Sequence, residues 1–379
     1  MRAFYFFAFG GLGAVFPFLP LLLRGKSLAP RQISWVMTLF PASNLAVPPL
    51  WGIAADLFGR RLPLLRAAAA TTALATLLLW PASSLWSLSV AVLLYCIGRA
   101  PISSLADAIT AAQLGNARER FARIRVFGSI GFALAVLVVG QLAVASRPAL
   151  FVSIAGALYL IAALSTLRVG EAAPEAAQIA TRERVRFADV LQRLRDPFLL
   201  LLLAGNATYY AAHAAYDAFF SLHLGQLGFS DGFIGVAWMV GVLVEILLLI
   251  VAPPLMVHSR RLLAACGVMA TTRWLLLSML SSRATIAAIA QPMHGVTFGI
   301  WYIAMVKEVQ DRAPERLRAA QQSLAAAATG FGMVVGYLGG GALFASGAGP
   351  LVFRVASGAA ALATVIYLVY LRRASRCAT

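Results

Sequence analysis

The sequence predicts an all-α membrane protein, with twelve transmembrane helices in two six-helix pseudo-symmetric bundles and both termini cytoplasmic. Three observations carry this. Of 379 residues, 61% are hydrophobic and 12% charged, about half the charge of an ordinary soluble domain. Mean hydropathy is +0.84 over the whole length, so no stretch has the composition of a separate soluble domain. Short polar connections also cut the chain into apolar segments of about 20 residues, the length that crosses a bilayer as a helix.

In chain order the spans are expected at 3–23, 32–55, 62–81, 86–110, 122–144, 148–168, 198–222, 232–254, 262–281, 284–306, 320–345 and 350–371. Span 1 reads as a helix and not as a cleavable leader, because its apolar run has full spanning length and contains Pro17 and Pro20. The long, Arg-rich connection after span 6 organises the chain as 1–168, a cytoplasmic loop 169–197, and 198–379. Orientation follows from the basic residues. One side of the membrane collects 23 of the 31 Lys and Arg and the other five, with Arg99, Arg273 and Arg354 inside spans; the richer side is cytoplasmic. The net charge of +17 thus orients a membrane protein and does not point to nucleic acid. Cys96, Cys266 and Cys377 lie in two apolar segments and a tail, which implies neither a disulfide framework nor a metal cluster.

The halves repeat each other. Pro48-Pro49-Leu50 is followed by Arg60-Arg61, and Pro253-Pro254-Leu255 by Arg260-Arg261; Gly128 and Gly131 open span 5, and Gly330 and Gly332 lie in span 11. A duplicated six-span unit suggests two bundles rocking about a site at mid-depth, which is a transporter architecture.

At the first of these loops, Gly52-Ile-Ala-Ala-Asp56-Leu-Phe-Gly59-Arg60-Arg61 resembles the signature between helices 2 and 3 of the major facilitator superfamily. A carboxylate at a helix C-terminus is badly placed for the dipole and calls for a cation, while Gly59 permits a tight turn. The resemblance implies a conformational latch made of Gly52, Asp56, Gly59, Arg60 and Arg61; the alternative for the arginines is that they only fix topology. Phe121-Ala-Arg123-Ile-Arg125-Val-Phe-Gly128-Ser-Ile-Gly-Phe132 and Gly13-Ala-Val-Phe-Pro17-Phe-Leu-Pro20 resemble the lactose and phenylpropionate permeases of that superfamily. Ala100-Pro101, Leu105-Ala-Asp107-Ala, His213-Ala-Ala-Tyr216, Arg273-Trp274 and His294-Gly-Val-Thr-Phe298 resemble the phenylpropionate branch.

Asp107, Asp217, Glu245, Arg99 and Arg273 lie inside apolar segments, where each costs about 2.5–3.5 kcal/mol at the centre of a span, so they should face a cavity or one another. Arg99 and Asp107 are eight residues apart, roughly 12 Å along a helix, and each needs a partner elsewhere. By resemblance, Asp107 and Arg125 belong to the substrate site, as does Phe132, which falls where the lactose carrier stacks a tryptophan on its sugar, the smaller, wholly apolar ring counting slightly against a sugar; a salt bridge closing a gate is the alternative for the pair. Glu245, Arg273 and His294 resemble the proton-coupling cluster of the same permease. A carboxylate in a dry site holds its proton and a nearby arginine opposes that, and histidine can relay the proton. Thr297 stands where that family has its proton-carrying glutamate, which leaves Glu245 as the carrier; a static pair with Arg273 is the alternative. Asn206, Tyr209 or Tyr210, His213 and Asp217 share a broad stripe of span 7, the pattern of a cavity lining, so Tyr209, His213, Asp217 and Arg99 join the candidate substrate contacts.

The expectation is a secondary transporter driven by the proton gradient, with no cofactor and no metal, working as a monomer in the bacterial inner membrane on a small-molecule substrate and H⁺. Uptake of a small organic solute such as an aromatic carboxylate comes first. A sugar or nucleoside symporter, a proton-antiport exporter and a non-transporting sensor are the alternatives. Span 5 lacks the Gly-Pro-Gly-Gly pattern of exporters, and no nucleophile or cofactor motif supports an enzyme.

Overall fold

Inside a bilayer a segment must satisfy its own backbone N–H and C=O groups, so long apolar runs fold as helices. A computed structural model describes residues 1–58, 60–114, 120–142, 147–170, 189, 192–279, 284–347 and 349–376, and every regular element among them is helical. Seven of these helices are long and apolar enough to cross a membrane, and a bent pair at the start makes eight. The remaining predicted spans fall short for visible reasons. They open on charged residues, carry several prolines, or are broken into pieces.

The chain divides into two compact units, Met1–Ala176 with Ser221–Met239, and Ala177–Phe220 with Val240–Thr379. In the first, α1 (Arg2–Val15) and α2 (Leu19–Gly25) meet at a 41° bend. Pro17 and Pro20, which cannot donate to the preceding turn, break what reads in the sequence as one span. There follow α3 (Pro30–Phe58), which contains Pro41, Pro48 and Pro49, α4 (Arg61–Leu78), and α5 (Leu85–Arg99), whose start is closed by a Ser84–Ser87 capping box. Pro101 separates α5 from α6 (Ile102–Leu114), and α7 (Phe121–Gln141) and α8 (Pro148–Ser165) complete the set. Helix α1 packs on α7 and α8, and α4 on α5 and α8. In the segment Ser221–Met239, Ser221 Oγ donates to the Pro17 carbonyl at 2.7 Å and accepts from Trp238 Nε1 at 3.0 Å.

The second unit holds most of α9 (Pro197–Gln226) and α10 (Asp231–Val251), then a 3-10 turn (Pro253–His258), α11 (Ser259–Ser278) and α12 (Ala284–Ala290). A π-helical turn (Gly295–Ile300) leads into α13 (Trp301–Asp311), and α14 (Arg318–Ala345) and α15 (Gly349–Arg376) finish the chain. Span 10, continuous in the sequence reading, is thus three pieces, with the break at Gln291-Pro292. Helix α11 packs on α13 and α15.

One contact occurs in both units. A Cβ placed on Gly131 of α7 would lie 2.0 Å from the Phe6 carbonyl oxygen of α1, and one on Gly332 of α14 would lie 2.0 Å from the Ala207 oxygen of α9. No side chain fits at either place. The paired elements are α1 with α7 and α9 with α14, which carry the expected spans 1, 5, 7 and 11. Apolar side chains elsewhere, such as Leu74, Leu134, Leu247, Val268 and Leu362, point outward along the helices, as a lipid-facing surface requires.

Candidate functional site

Each unit holds a charged cluster among the expected site residues. In the first, α6 carries Asp107, whose Oδ1 accepts a hydrogen bond from Tyr5 Oη of α1 at 2.6 Å. Arg125 Nε of α7 lies 3.3 Å from the same oxygen, and its Nη2 donates to Ser103 Oγ at 3.4 Å. The Arg125 guanidinium lies 5.5 Å from the centroid of the Phe9 ring. The side chains of Arg125 and Asp107 keep 40% and 34% of their exposure, so the pair is reachable, and such an accessible ion pair contributes little to stability by itself, about 0–1 kcal/mol. Its groups are available for exchange with those of a solute.

Arg99 does not approach Asp107. Its Nη2 donates to Asn44 Oδ1 of α3, while Nε is buried with no hydrogen-bond partner among the described residues. Beside it, the Tyr95 and Tyr159 hydroxyls are 2.8 Å apart. Phe132 is half-buried on α7, and its backbone packs against α1 at Gly13.

The second cluster is drier. Arg273 of α11 is wholly buried and donates from Nε to the Ala290 carbonyl at 3.1 Å, and from Nη1 to Thr297 Oγ1 at 3.1 Å. Its guanidinium lies over the rings of Tyr216 and Trp274, 4.3 and 4.7 Å from their centroids, a cation–π enclosure. Nη1 is also 3.1 Å from His294 Nδ1. Because arginine only donates, Nδ1 must accept, and the proton of a neutral His294 then sits on Nε2. That nitrogen is 3.7 Å from Glu245 Oε2 of α10, within reach of charge attraction and just beyond hydrogen-bond length. Arg273, His294 and Glu245 thus form a chain ordered from the interior outward, with 19% of the Glu245 side chain exposed against 7% for His294.

The span 7 stripe, read from the sequence as cavity lining, is divided by the structure. Tyr209 and His213 are buried. The Tyr209 ring stacks on Trp301 with centroids 4.5 Å apart, and its hydroxyl donates to the Thr297 carbonyl at 2.6 Å. His213 packs among Tyr209, Trp274, His294 and Phe298, and Asn206 is tied to α14 through the Ala325 carbonyl. Only Asp217, beside Tyr337, keeps partial exposure.

Of the expected latch, the side chains of Gly52 and Asp56, and Gly59 itself, lie outside the described residues; Arg60 and Arg61 are exposed at the start of α4. The repeated Arg260-Arg261 pair lies at the start of α11. Glu308 of α13 is buried and accepts from Ser259 Oγ and Tyr370 Oη, with Arg260 Nε at 3.3 Å. Neither Tyr5 nor Glu308 stood out in the sequence. Tyr5 is one ring in an aromatic run, and Glu308 falls just past span 10, in the charged connection that begins at Lys307.

Comparison with known proteins agrees with this architecture. Residues 1–355 match the MFS_1 like family. The chain belongs to that family. As a major facilitator protein it is a multi-pass membrane transporter, not an enzyme, and the family needs no cofactor; among the described residues no group of three His, Cys, Asp or Glu could hold a metal. A maltose permease of Geobacillus stearothermophilus is 32% identical over 312 residues, 81% of this chain and 73% of the relative. A "probable 3-phenylpropionic acid transporter" of Escherichia coli K12 is 22% identical over 338 residues, 86% of each. In fold the chain is similar to the crystal structure of the nucleoside transporter NupG, with a TM-score of 0.85 at 16% identity over 98% of both chains.

Proposed function

We propose that this transporter takes up a small, hydroxyl-bearing organic solute, a sugar or nucleoside, by proton symport. The observation that carries the coupling is the chain Arg273, His294, Glu245, which ends on a carboxylate with partial access. In the unprotonated state the Nε2–H of His294 faces the Glu245 carboxylate, and the buried cation behind it balances the charge. Binding a proton at Glu245 removes that attraction and frees the site to rearrange. The Asp107–Arg125 pair is the substrate's hold in the first unit. An acceptor and a donor fork side by side suit vicinal hydroxyls, and because the pair is already charge-balanced it gives an anionic solute no net attraction. The maltose permease relative supports the same class.

An aromatic carboxylate is the second reading. Arg99, whose Nε has no partner, and the 3-phenylpropionic acid relative favour it. Twelve spans in bundles 1–168 and 198–379, cytoplasmic termini, a monomer in the bacterial inner membrane, and a latch through Gly52, Asp56, Gly59, Arg60 and Arg61 complete the proposal. Proteoliposomes with an imposed pH gradient, offered disaccharides, nucleosides and 3-phenylpropionate, test it. Accumulation of a neutral sugar or nucleoside with external alkalinisation is expected, and accumulation of the carboxylate alone overturns the substrate class.

A further inference from the structure

The π-helical turn Gly295–Ile300 sits directly on the proposed proton site. A turn with i→i+5 bonding is rare and occurs where side chains or function compensate for it. Here the compensation is explicit. In an unbroken helix the Ala290 carbonyl would accept from His294 N; His294 N instead bonds the Gln291 carbonyl at 2.9 Å, and Arg273 Nε takes the vacated oxygen. Further along, the Tyr209 hydroxyl takes the Thr297 carbonyl. Two buried side chains therefore hold the backbone of the broken helix open.

Both ends of the segment are fixed. Arg273 anchors Ala290, and Ser259, Arg260 and Tyr370 anchor α13 through Glu308. Converting the whole turn to α-helix would rotate α13 by about 100° and shift it by about 1.5 Å, tearing Glu308 from its donors. Adjustment is thus confined to 291–300, the stretch that carries His294 and Thr297. That stretch touches Glu245 through two glycines. A Cβ on Gly295 would lie 2.9 Å from the Glu245 backbone nitrogen, and one on Gly299 would lie 3.0 Å from Glu245 Cγ.

We propose that Tyr209 and the π-helical turn are a positioning device for the proton site, with Tyr209 setting, through the Thr297 carbonyl, the backbone register that holds His294 against Glu245. This rests on the assignment of Glu245 as proton carrier and gives Tyr209 a role other than substrate contact. The groups that face Glu245 are His294 from the turn, with Arg273 of α11 behind it, and Tyr210 and Tyr216 from α9; Asp217 of α9 interacts with Arg273 and Tyr337. Protonation of Glu245 weakens the hold on His294 Nε2, and the turn, pinned by Tyr209 and Arg273 and, through the Gln291 side chain, by Tyr216, is the part that yields.

Two measurements on the full chain in lipid nanodiscs and proteoliposomes test this. Hydrogen exchange of the peptide spanning 291–301, corrected for the intrinsic pH dependence, should change in protection by about tenfold between about pH 5.5 and about pH 8, and Glu245→Gln should abolish the change. Tyr209→Phe should move the pH midpoint of uptake by about 0.5–1 unit; a merely structural role would lower the plateau and leave the midpoint in place. Equal protection at both pH values in the native chain, or an unmoved midpoint in Tyr209→Phe, overturns the device. If Glu245→Gln still accumulates substrate, the proton assignment itself falls, and the device with it.

Discussion

The two charged clusters each combine an arginine with a carboxylate, under opposite conditions. In the first unit, Asp107 and Arg125 touch directly at 3.3 Å, and each keeps a third or more of its side chain exposed. In the second, Arg273 and Glu245 are kept apart by His294, and the arginine is wholly buried. A direct, wet ion pair is loosely held and easily shared with a solute's hydroxyls. A dry cation that reaches its carboxylate only through an imidazole cannot trade partners with a solute, but it can respond to one proton. On the proposed reading, gripping and coupling call for different burial of the same charge pair, and for an imidazole set between the charges of the second.

Experiments can break this contrast at several strengths. The largest effect is expected from Glu245→Gln, which should abolish uphill accumulation under a pH gradient while substrate counterflow in the same liposomes continues; undiminished accumulation would put the proton elsewhere. Next come Asp107→Asn and Arg125→Lys, expected to weaken substrate binding roughly 10–100-fold with the pH midpoint of uptake unmoved, since the first removes the negative charge and the second the planar donor fork. A shifted midpoint in either would merge the two clusters into one coupled network. Tyr5→Phe should cost binding roughly three- to tenfold, because Asp107 loses the hydroxyl that orients it but keeps Arg125, as titration calorimetry would report. Smallest is Arg260→Ala. Glu308 keeps its Tyr370 and Ser259 donors, so a stability loss of about 1 kcal/mol, seen as a lowering of the melting temperature by a few degrees, is the expected result.

Much of the fold is legible in composition and periodicity, because lipid leaves a long apolar segment little choice but a helix. The breaks were less so. Spans 1 and 10 read as continuous because their hydropathy is continuous, although Pro17 and Pro292 remove the donors an unbroken helix needs, whereas span 4 does run as one apolar length, Leu85–Leu114, across Pro101. At the sites, spacing along one helix correctly excludes an Arg99–Asp107 contact, but it cannot say that Arg99 goes to Asn44 or that Tyr5 reaches Asp107 from another helix; tertiary packing decides that. The span 7 stripe shows the limit of periodicity. It identifies a polar face, not whether that face meets a cavity or, as for Tyr209 and His213, a layer of aromatic rings.

The contact of Gly131 with the Phe6 carbonyl has a consequence for biogenesis. The two residues are about 125 positions apart, and at the usual pace of synthesis the N-terminal helix leaves the ribosome roughly 6–25 s before the helix it must lie against. During that interval its bare groove has only lipid or the insertion machinery for company. A bulkier residue at position 131 would therefore do its damage during assembly, as a half-made chain whose opening helix never finds its seat and is cleared before a finished carrier exists.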